Sequence, residues 1–245
     1  MHVLLTRPEP DAAALRAQLE ALGHEVTVEP LLKIEPLPIA VAILDGIAAV
    51  IVTSRNGLRA LAESAAFEGV RELPIIAVGP GTAQLAREFG FAHVIEGPGT
   101  ARDLVPLIIK TSSTLPGPLA HVRGEDVAFD LHGALKAQGL KVREVVAYRA
   151  IPASGLEPRT AALLGAGTID AVILMSPRTG AIFAHLMTVG GLREVAGKLV
   201  FLCLSPAVAA SVEPLGPGRV EVSESPNSAA MLATVTRVAT LWSGV

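Results

Sequence analysis

Short apolar runs alternate with segments of helical spacing along the whole chain. Val3-Leu-Leu-Thr6 is a strand-like run closed by Arg7-Pro8. From Pro10 to Leu22, Leu15, Leu19 and Leu22 recur at helical spacing, and Gly23 ends the pattern. His24 to Glu29 alternates and stops at Pro30. Leu37 to Val52 is the most membrane-like stretch, but Asp45-Gly46 divides it into a short helix and a buried strand, Ala48 to Thr53. Ser54 then opens a helix to about Ser64. Pro74 to Val78 predicts a strand, Gly79-Pro-Gly-Thr82 a turn, and the following residues a helix to Glu88. Ala92 to Ile95 predicts the next strand, with Gly97-Pro-Gly-Thr100 opening a helix to about Lys110.

The second half repeats this order. Strands are expected at Leu119 to Arg123, Lys141 to Tyr148, Ala171 to Met175, Leu199 to Leu204 and Val220 to Val222. Helices are expected from Asp126 to Gln138, after Ser176-Pro177, after Ser205-Pro206, and from Ser225-Pro-Asn-Ser228 to about Leu241. Arg7 answers to Arg123, Ser54 to Ser176, Gly79 to Ser205 and Gly97 to Ser225, with an offset that grows from 116 to 128 residues as loop insertions would make it. The pattern predicts an α/β protein: two doubly wound parallel-sheet domains, flavodoxin-like or Rossmann-like, related by pseudo-duplication. Two such domains imply a cleft, a common ligand site. Extended, proline-marked passages at Val26 to Pro38 and Val142 to Pro152 leave open whether the first strand–helix–strand unit of each half stays with its own domain or is exchanged.

Composition narrows the function. Of 245 residues, 51% are hydrophobic and 18% charged, which excludes a disordered tail. Six Phe, one Trp and one Tyr are too few for a base-stacking platform, and a net charge of -3 gives no field for a polyanion, so no nucleic-acid partner is expected. An anionic ligand would have to be met locally. The single Cys, Cys203, lies in an apolar run and reads as a small buried hydrophobe. The six His share no ligand spacing, so no metal is expected. The first residues turn polar too early for a signal peptide, so a cytoplasmic protein without membrane association is expected.

The chemistry concentrates where strands end. Thr53-Ser54, Gly79-Pro-Gly81-Thr82, Gly97-Pro-Gly-Thr100, Ser176-Pro177, Ser205-Pro206 and Ser225-Pro-Asn-Ser228 each put a turn at a strand's carboxyl end, where open α/β sheets bind ligands. Free N–H groups and positive dipole ends at such helix starts suit a ligand with several carboxylates. Ordinary N-capping would use the same residues. Arg7 and Arg123 each end the first strand of a half and either grip a carboxylate or form a structural ion pair. Tyr148 closes its strand at a linker, where a phenol can donate to a leaving hydroxyl or pack in the core. The dinucleotide fingerprint fails, with Gln84 and Arg102 in place of the last glycine. The phosphate-loop and nucleophile-elbow motifs do not occur.

In order and spacing, these residues resemble the uroporphyrinogen-III synthase family over about 240 residues. The motifs are Thr6-Arg7-Pro8, the Gly23 to Pro30 segment, Thr53-Ser54, Ala77 to Ala83, Arg123-Gly124, Val145 to Arg149 and Ser176-Pro177. The resemblance implies two domains joined by a two-stranded linker, one of residues 1–35 plus 150–245 and the other of 36–149. It implies that linear hydroxymethylbilane loses water and cyclises with inversion of its last pyrrole ring, without metal or organic cofactor. It makes Tyr148 the catalytic residue, and Ser54, Thr82 and Ser176 cleft-side polar positions. Its substrate carries eight carboxylate side chains, which fits the helix-start turns. With these, Arg7, Gly79, Gly81, Arg123, Gly124, Pro177 and Ser205 form the expected substrate-binding set, in a monomer. One departure stands out: Ala207 and Val208 replace hydroxyl residues common in relatives. The competing reading, motivated by that departure, is a non-catalytic two-domain binding protein or regulator for a small polycarboxylate.

Overall fold

Strands covered by helices on both faces must be apolar at every position, because alternate side chains enter different cores. The runs Ala49–Val52, Ala171–Leu174 and Val200–Cys203 obey this. In the computed structural model, which describes residues 1–242, eleven strands form two sheets. In chain order they are β1 (His2–Leu5), β2 (Glu25–Val28), β3 (Leu32–Pro36), β4 (Ala49–Val52), β5 (Ile75–Ala77), β6 (Val94–Glu96), β7 (Leu119–Gly124), β8 (Val142–Pro152), β9 (Ala171–Leu174), β10 (Val200–Cys203) and β11 (Arg219–Val222).

The chain divides into two compact units, one of Met1–Lys33 with Ile151–Val245 and the other of Ile34–Ala150. The sheet of the first runs β11-β10-β9-β1-β2, all parallel. Leu4, Val172, Leu174, Phe201 and Cys203 face one core, under the helices Pro177–Val189 and Pro206–Val212. Their neighbours Val3, Leu5, Ala171, Ile173 and Leu202 face the other, under the helices Asp11–Ala21 and Ser228–Trp242. Phe183 meets Phe201 edge to face, with ring centroids 6.1 Å apart.

The second sheet runs β3-β8-β7-β4-β5-β6. Val50, Val52, Ile75, Ala77, Ala120 and Val122 pack beneath the helices Arg55–Ala62 and Pro80–Glu88. Ala49, Ile51, Ile76 and Leu119 pack beneath Leu104–Ser112 and Leu131–Ala137. Equating β7 and β8 with β1 and β2, both sheets have the flavodoxin-like order 2-1-3-4-5, so the expected duplication appears as a permuted repeat. In each, the order reverses between the first strand of the repeat and its third: β1 beside β9, and β7 beside β4.

Three local expectations are corrected. The Gly97 turn does not open a helix. Gly97 and Gly99 donate their N–H groups to Ala77 and Val78 carbonyls at 2.8 and 2.7 Å, folding the turn back over the end of β5. The helix starts only at Leu104. The helix expected from Asp126 starts at Leu131, because the Asp130 carboxylate accepts the Gly133 N–H at 2.8 Å and caps it there. Glu125 N–H is held by the Tyr148 carbonyl at 2.8 Å, which ties the start of the loop of residues 125–130 to β8. Helices at Phe67–Val70 and Pro158–Gly165 were not predicted by the spacing.

Candidate active site

The order reversal in the second unit places the ends of β7 and β4 side by side, and Tyr148 joins them from β8. Along β7 and β8 the register is Val122 to Val145 and Arg123 to Val146, but Gly124 pairs with Tyr148, one residue on. This bulge re-aims Tyr148. Its ring packs against the cluster of Val122 and Ala147 and lies over Gly124, where a Cβ would stand 2.7 Å from Cζ. Only glycine leaves that space.

Tyr148 Oη and Ser54 Oγ are 3.0 Å apart. Ser54 is extended and caps the helix Arg55–Ala62, its Oγ accepting the Gly57 N–H at 3.0 Å. With that acceptor position filled, the Ser54 hydroxyl can donate to the Tyr148 oxygen, leaving the phenol proton for a ligand. Gly57 is less tightly constrained than Gly124: a Cβ there would meet Ser54 Oγ and the Val122 carbonyl, each at 3.3 Å.

A cavity of ≈ 330 Å³ opens beside the pair, lined among others by Thr53, Ser54, His121, Gly124, Phe129 and Tyr148. His121 is 2% exposed, and its Nε2 shares a hydrogen bond with Thr53 Oγ1 at 3.1 Å. Burial, with help from the charges of Arg123 and His132 and against Glu144, brings the His121 pKa down to about 4, so the ring is neutral at physiological pH. The spacing of the six His gave no reason to choose this one. A larger cleft, ≈ 740 Å³ and lined by His132, Lys136, Lys141 and Arg143, lies at the amino ends of β7 and β8 and contains none of the expected site residues.

The structure brings Ser54, Gly124 and Tyr148 together on this cavity. Gly79, Gly81 and Thr82 form the neighbouring turn, which caps the helix Pro80–Glu88. Thr82 is 6% exposed inside its first turn, and Gly81 lies beside the Arg55 guanidinium. Arg123, two residues on from His121 along β7, is not among the residues that line this cavity. Its Nε donates to Glu144 at 2.6 Å and its Nη1 to the carbonyls of Gly124 and Glu125 at 2.7 and 2.9 Å.

The remaining residues belong to the first unit, at the ends of β1, β9 and β10. Arg7 pairs with Asp11 at 3.0 Å. Ser176 caps the helix that Pro177 begins, accepting the Thr179 N–H at 3.1 Å. Ser205 occupies the capping position before Pro206 but makes no side-chain cap. Val208 is buried in the core, so a hydroxyl there would meet apolar neighbours. Among the described residues no group of metal-binding type occurs, and no helix is long and apolar enough to cross a membrane.

Fold and site define a two-unit α/β protein whose polar residues gather at a topological switch point, the arrangement of a small-molecule enzyme. The family model described as uroporphyrinogen-III synthase HemD matches residues 13–233. The chain belongs to the uroporphyrinogen-III synthase family, lyases of tetrapyrrole synthesis. Solved structures agree in fold. A mutant uroporphyrinogen III synthase from Thermus thermophilus is 22% identical, with 98% of this chain and 99% of that chain covered and a TM-score of 0.59. Uroporphyrinogen-III synthetase from Helicobacter pylori 26695 is 15% identical, with 97% and 99% covered and a TM-score of 0.66. No curated protein matches the chain significantly.

Proposed function

We propose that this chain converts hydroxymethylbilane to uroporphyrinogen III and that Tyr148 is its catalytic residue. The observation that carries the assignment is the Tyr148–Ser54 pair at 3.0 Å on the wall of a cavity at the switch point. The departing hydroxyl takes the phenol proton as its C–O bond breaks, and the Ser54 hydroxyl stabilises the phenolate oxygen left behind. The azafulvenium cation so formed, its ring N–H retained, closes through the inverted last ring, and the proton lost on closure restores the phenol. Positioning the ring ends, and excluding the unrearranged closure, is the protein's larger task.

In this reading Ser54, Gly79, Gly81, Thr82 and Gly124 serve the substrate from the second unit, and Arg7, Ser176, Pro177 and Ser205 from the first. Free N–H groups at their turns take carboxylate arms. Arg123 acts indirectly, by holding the end of β7. The domains of this reading are residues 1–35 plus 150–245 and residues 36–149. The protein is a cytoplasmic monomer that needs no cofactor.

The test is conversion of hydroxymethylbilane with chromatographic separation of the III and I isomers. The III isomer is expected. Formation of the I isomer alone, as without enzyme, would overturn the assignment and favour a polycarboxylate-binding protein. Full activity in Tyr148→Phe would remove the catalytic role from Tyr148 while leaving the function.

A further inference from the structure

The linear tetrapyrrole of the proposed reaction carries carboxylate arms on every ring and exceeds a cavity of ≈ 330 Å³. Only part of it enters beside Tyr148, and the rest crosses the rim. No Lys or Arg is among the residues that line the cavity, so a cation for an arm at this place has to come from just beyond the lining.

Arg102 stands there. Thr100 and Ala101, immediately before it, line the cavity, and so does Phe129, whose ring the Arg102 guanidinium covers at 4.8 Å from the centroid. The turn that carries Arg102 is fixed, since the Thr100 hydroxyl accepts the Asp103 N–H at 3.2 Å and donates to the Asp103 carboxylate at 2.6 Å. Arg102 is exposed, and its guanidinium makes no hydrogen bond or ion pair among the described residues. Of the other arginines this holds only for Arg159, which belongs to the other unit.

An exposed arginine side chain ordinarily samples many rotamers. A ring beneath the guanidinium holds its plane by cation–π attraction and uses none of its N–H groups. The ring thus orients the fork and leaves it able to take a carboxylate through two parallel N–H···O bonds. The neighbouring acids are engaged elsewhere: Asp103 is bonded to Thr100, and Asp126 has an interaction of its own.

We propose that Arg102, with Phe129 as its platform, grips one carboxylate arm of the substrate where the substrate leaves the Tyr148 cavity. The proposal rests on the function assigned above and adds a substrate-binding residue to it. The arm keeps its charge as the hydroxyl departs, so the grip is equally strong in the ground and transition states. It acts on KM rather than on kcat.

Arg102→Gln keeps a polar side chain and removes the charge and the fork. It is expected to raise KM about fivefold, the scale of an exposed bidentate pair, with kcat within about twofold and the urea midpoint unchanged. Arg102→Lys keeps the charge without the fork and should fall between the two. Raising the ionic strength from about 0.05 M to about 0.5 M should shrink the difference between wild type and the Gln variant. In a Phe129→Leu background the same substitution should matter less, because the platform is gone. An unchanged KM in Arg102→Gln would overturn the grip, as would a fall in kcat or stability without a change in KM. An effect undiminished by Phe129→Leu would overturn the platform.

An independent measurement uses uroporphyrin III, the oxidised form of the proposed product, followed by fluorescence anisotropy. Arg102→Gln is expected to weaken its binding about fivefold, and Arg159→Gln, which removes an equally unpartnered guanidinium far along the chain, is expected to leave it unchanged. Equal weakening by both substitutions, weakening by neither, or no binding to the wild type would overturn the proposal. If the wild-type protein makes only the I isomer, the functional assignment falls, and the anisotropy measurement still decides the grip on its own.

Discussion

Tyr148 and Gly124 are matched across adjacent strands so that the phenol ring occupies the space a side chain at 124 would fill, with Cζ 2.7 Å from the position of its Cβ. This contact, more than any hydrogen bond, fixes where the phenol points. Gly124→Ala should therefore displace the ring and separate Oη from Ser54. The expected result is a loss of kcat close to that of Tyr148→Phe, roughly 10²-fold, with stability lowered by about 1 kcal/mol because the ring can turn toward the open cavity. Steady-state kinetics and urea unfolding of the two variants check this. A Gly124→Ala enzyme with normal kcat would show that the ring position does not matter.

Ser54 has two duties that can be told apart. As a helix cap it contributes about 1 kcal/mol, and as the partner of Tyr148 it affects chemistry. Ser54→Ala should lose both, while Ser54→Asp should keep the cap and lose activity, because a carboxylate beside Oη opposes the phenolate formed when the proton leaves. Thermal unfolding with parallel assay of III-isomer formation distinguishes them. Equal activity in the two variants and the wild type would remove Ser54 from the reaction.

Stability should fall at mildly acid pH, and His121 sets the window. Its folded pKa of about 4 lies below the ordinary value of 6.5, burial being the main cause. The unfolded chain takes up the proton first as pH drops. The contribution is thus fully present above about 6.5 and is lost progressively toward about 4, amounting to about 3 kcal/mol. Arg123 and His132 act in the same direction and Glu144 against it. Urea unfolding between pH 7.5 and pH 4 should show this slope, and His121→Gln should flatten it. An equal slope in both proteins would assign the acid sensitivity to other groups.

How much of this was legible in the sequence depends on what each residue's neighbours are. The wholly buried strands Ala49–Val52, Ala171–Leu174 and Val200–Cys203 were legible as uninterrupted apolar runs, and Ser54 and Ser176 as helix starts. The Gly97 turn was not, because the same glycine-proline pattern serves a helix start and a turn bound back to its own strand. Nor was the partner of Arg123. Strand alternation puts Arg123 on the face of His121, but its ion pair with Glu144 depends on β8 lying beside β7. His121 was invisible for a different reason. A lone histidine in an apolar strand looks like core until the loop of residues 125–130 folds beside it and leaves one nitrogen without a partner.

Cys203 should be inert in the folded protein. It is buried in the core with Phe201, and burial pushes its thiol up to about 12, so almost no thiolate exists at neutral pH. A thiol reagent such as DTNB should report nothing under native conditions and one equivalent in denaturant, the chain having one Cys. Rapid native modification would mean that β10 opens locally.

Arg123 gives the sharpest contrast between the two roles its position allows. If its ion pair with Glu144 and its bonds to the Gly124 and Glu125 carbonyls are its purpose, removing it takes from Glu144 its short ion pair and leaves the end of β7 loose. Arg123→Leu should then cost about 2 kcal/mol and change KM less than about threefold. Glu144→Gln should destabilise as well, and the double variant should lose less than the sum of the two, since both changes remove one interaction. A carboxylate-gripping Arg123 predicts the reverse: KM rising tenfold or more with unchanged stability, and no coupling to Glu144. Urea unfolding of the four proteins, with KM measured for each, decides between them.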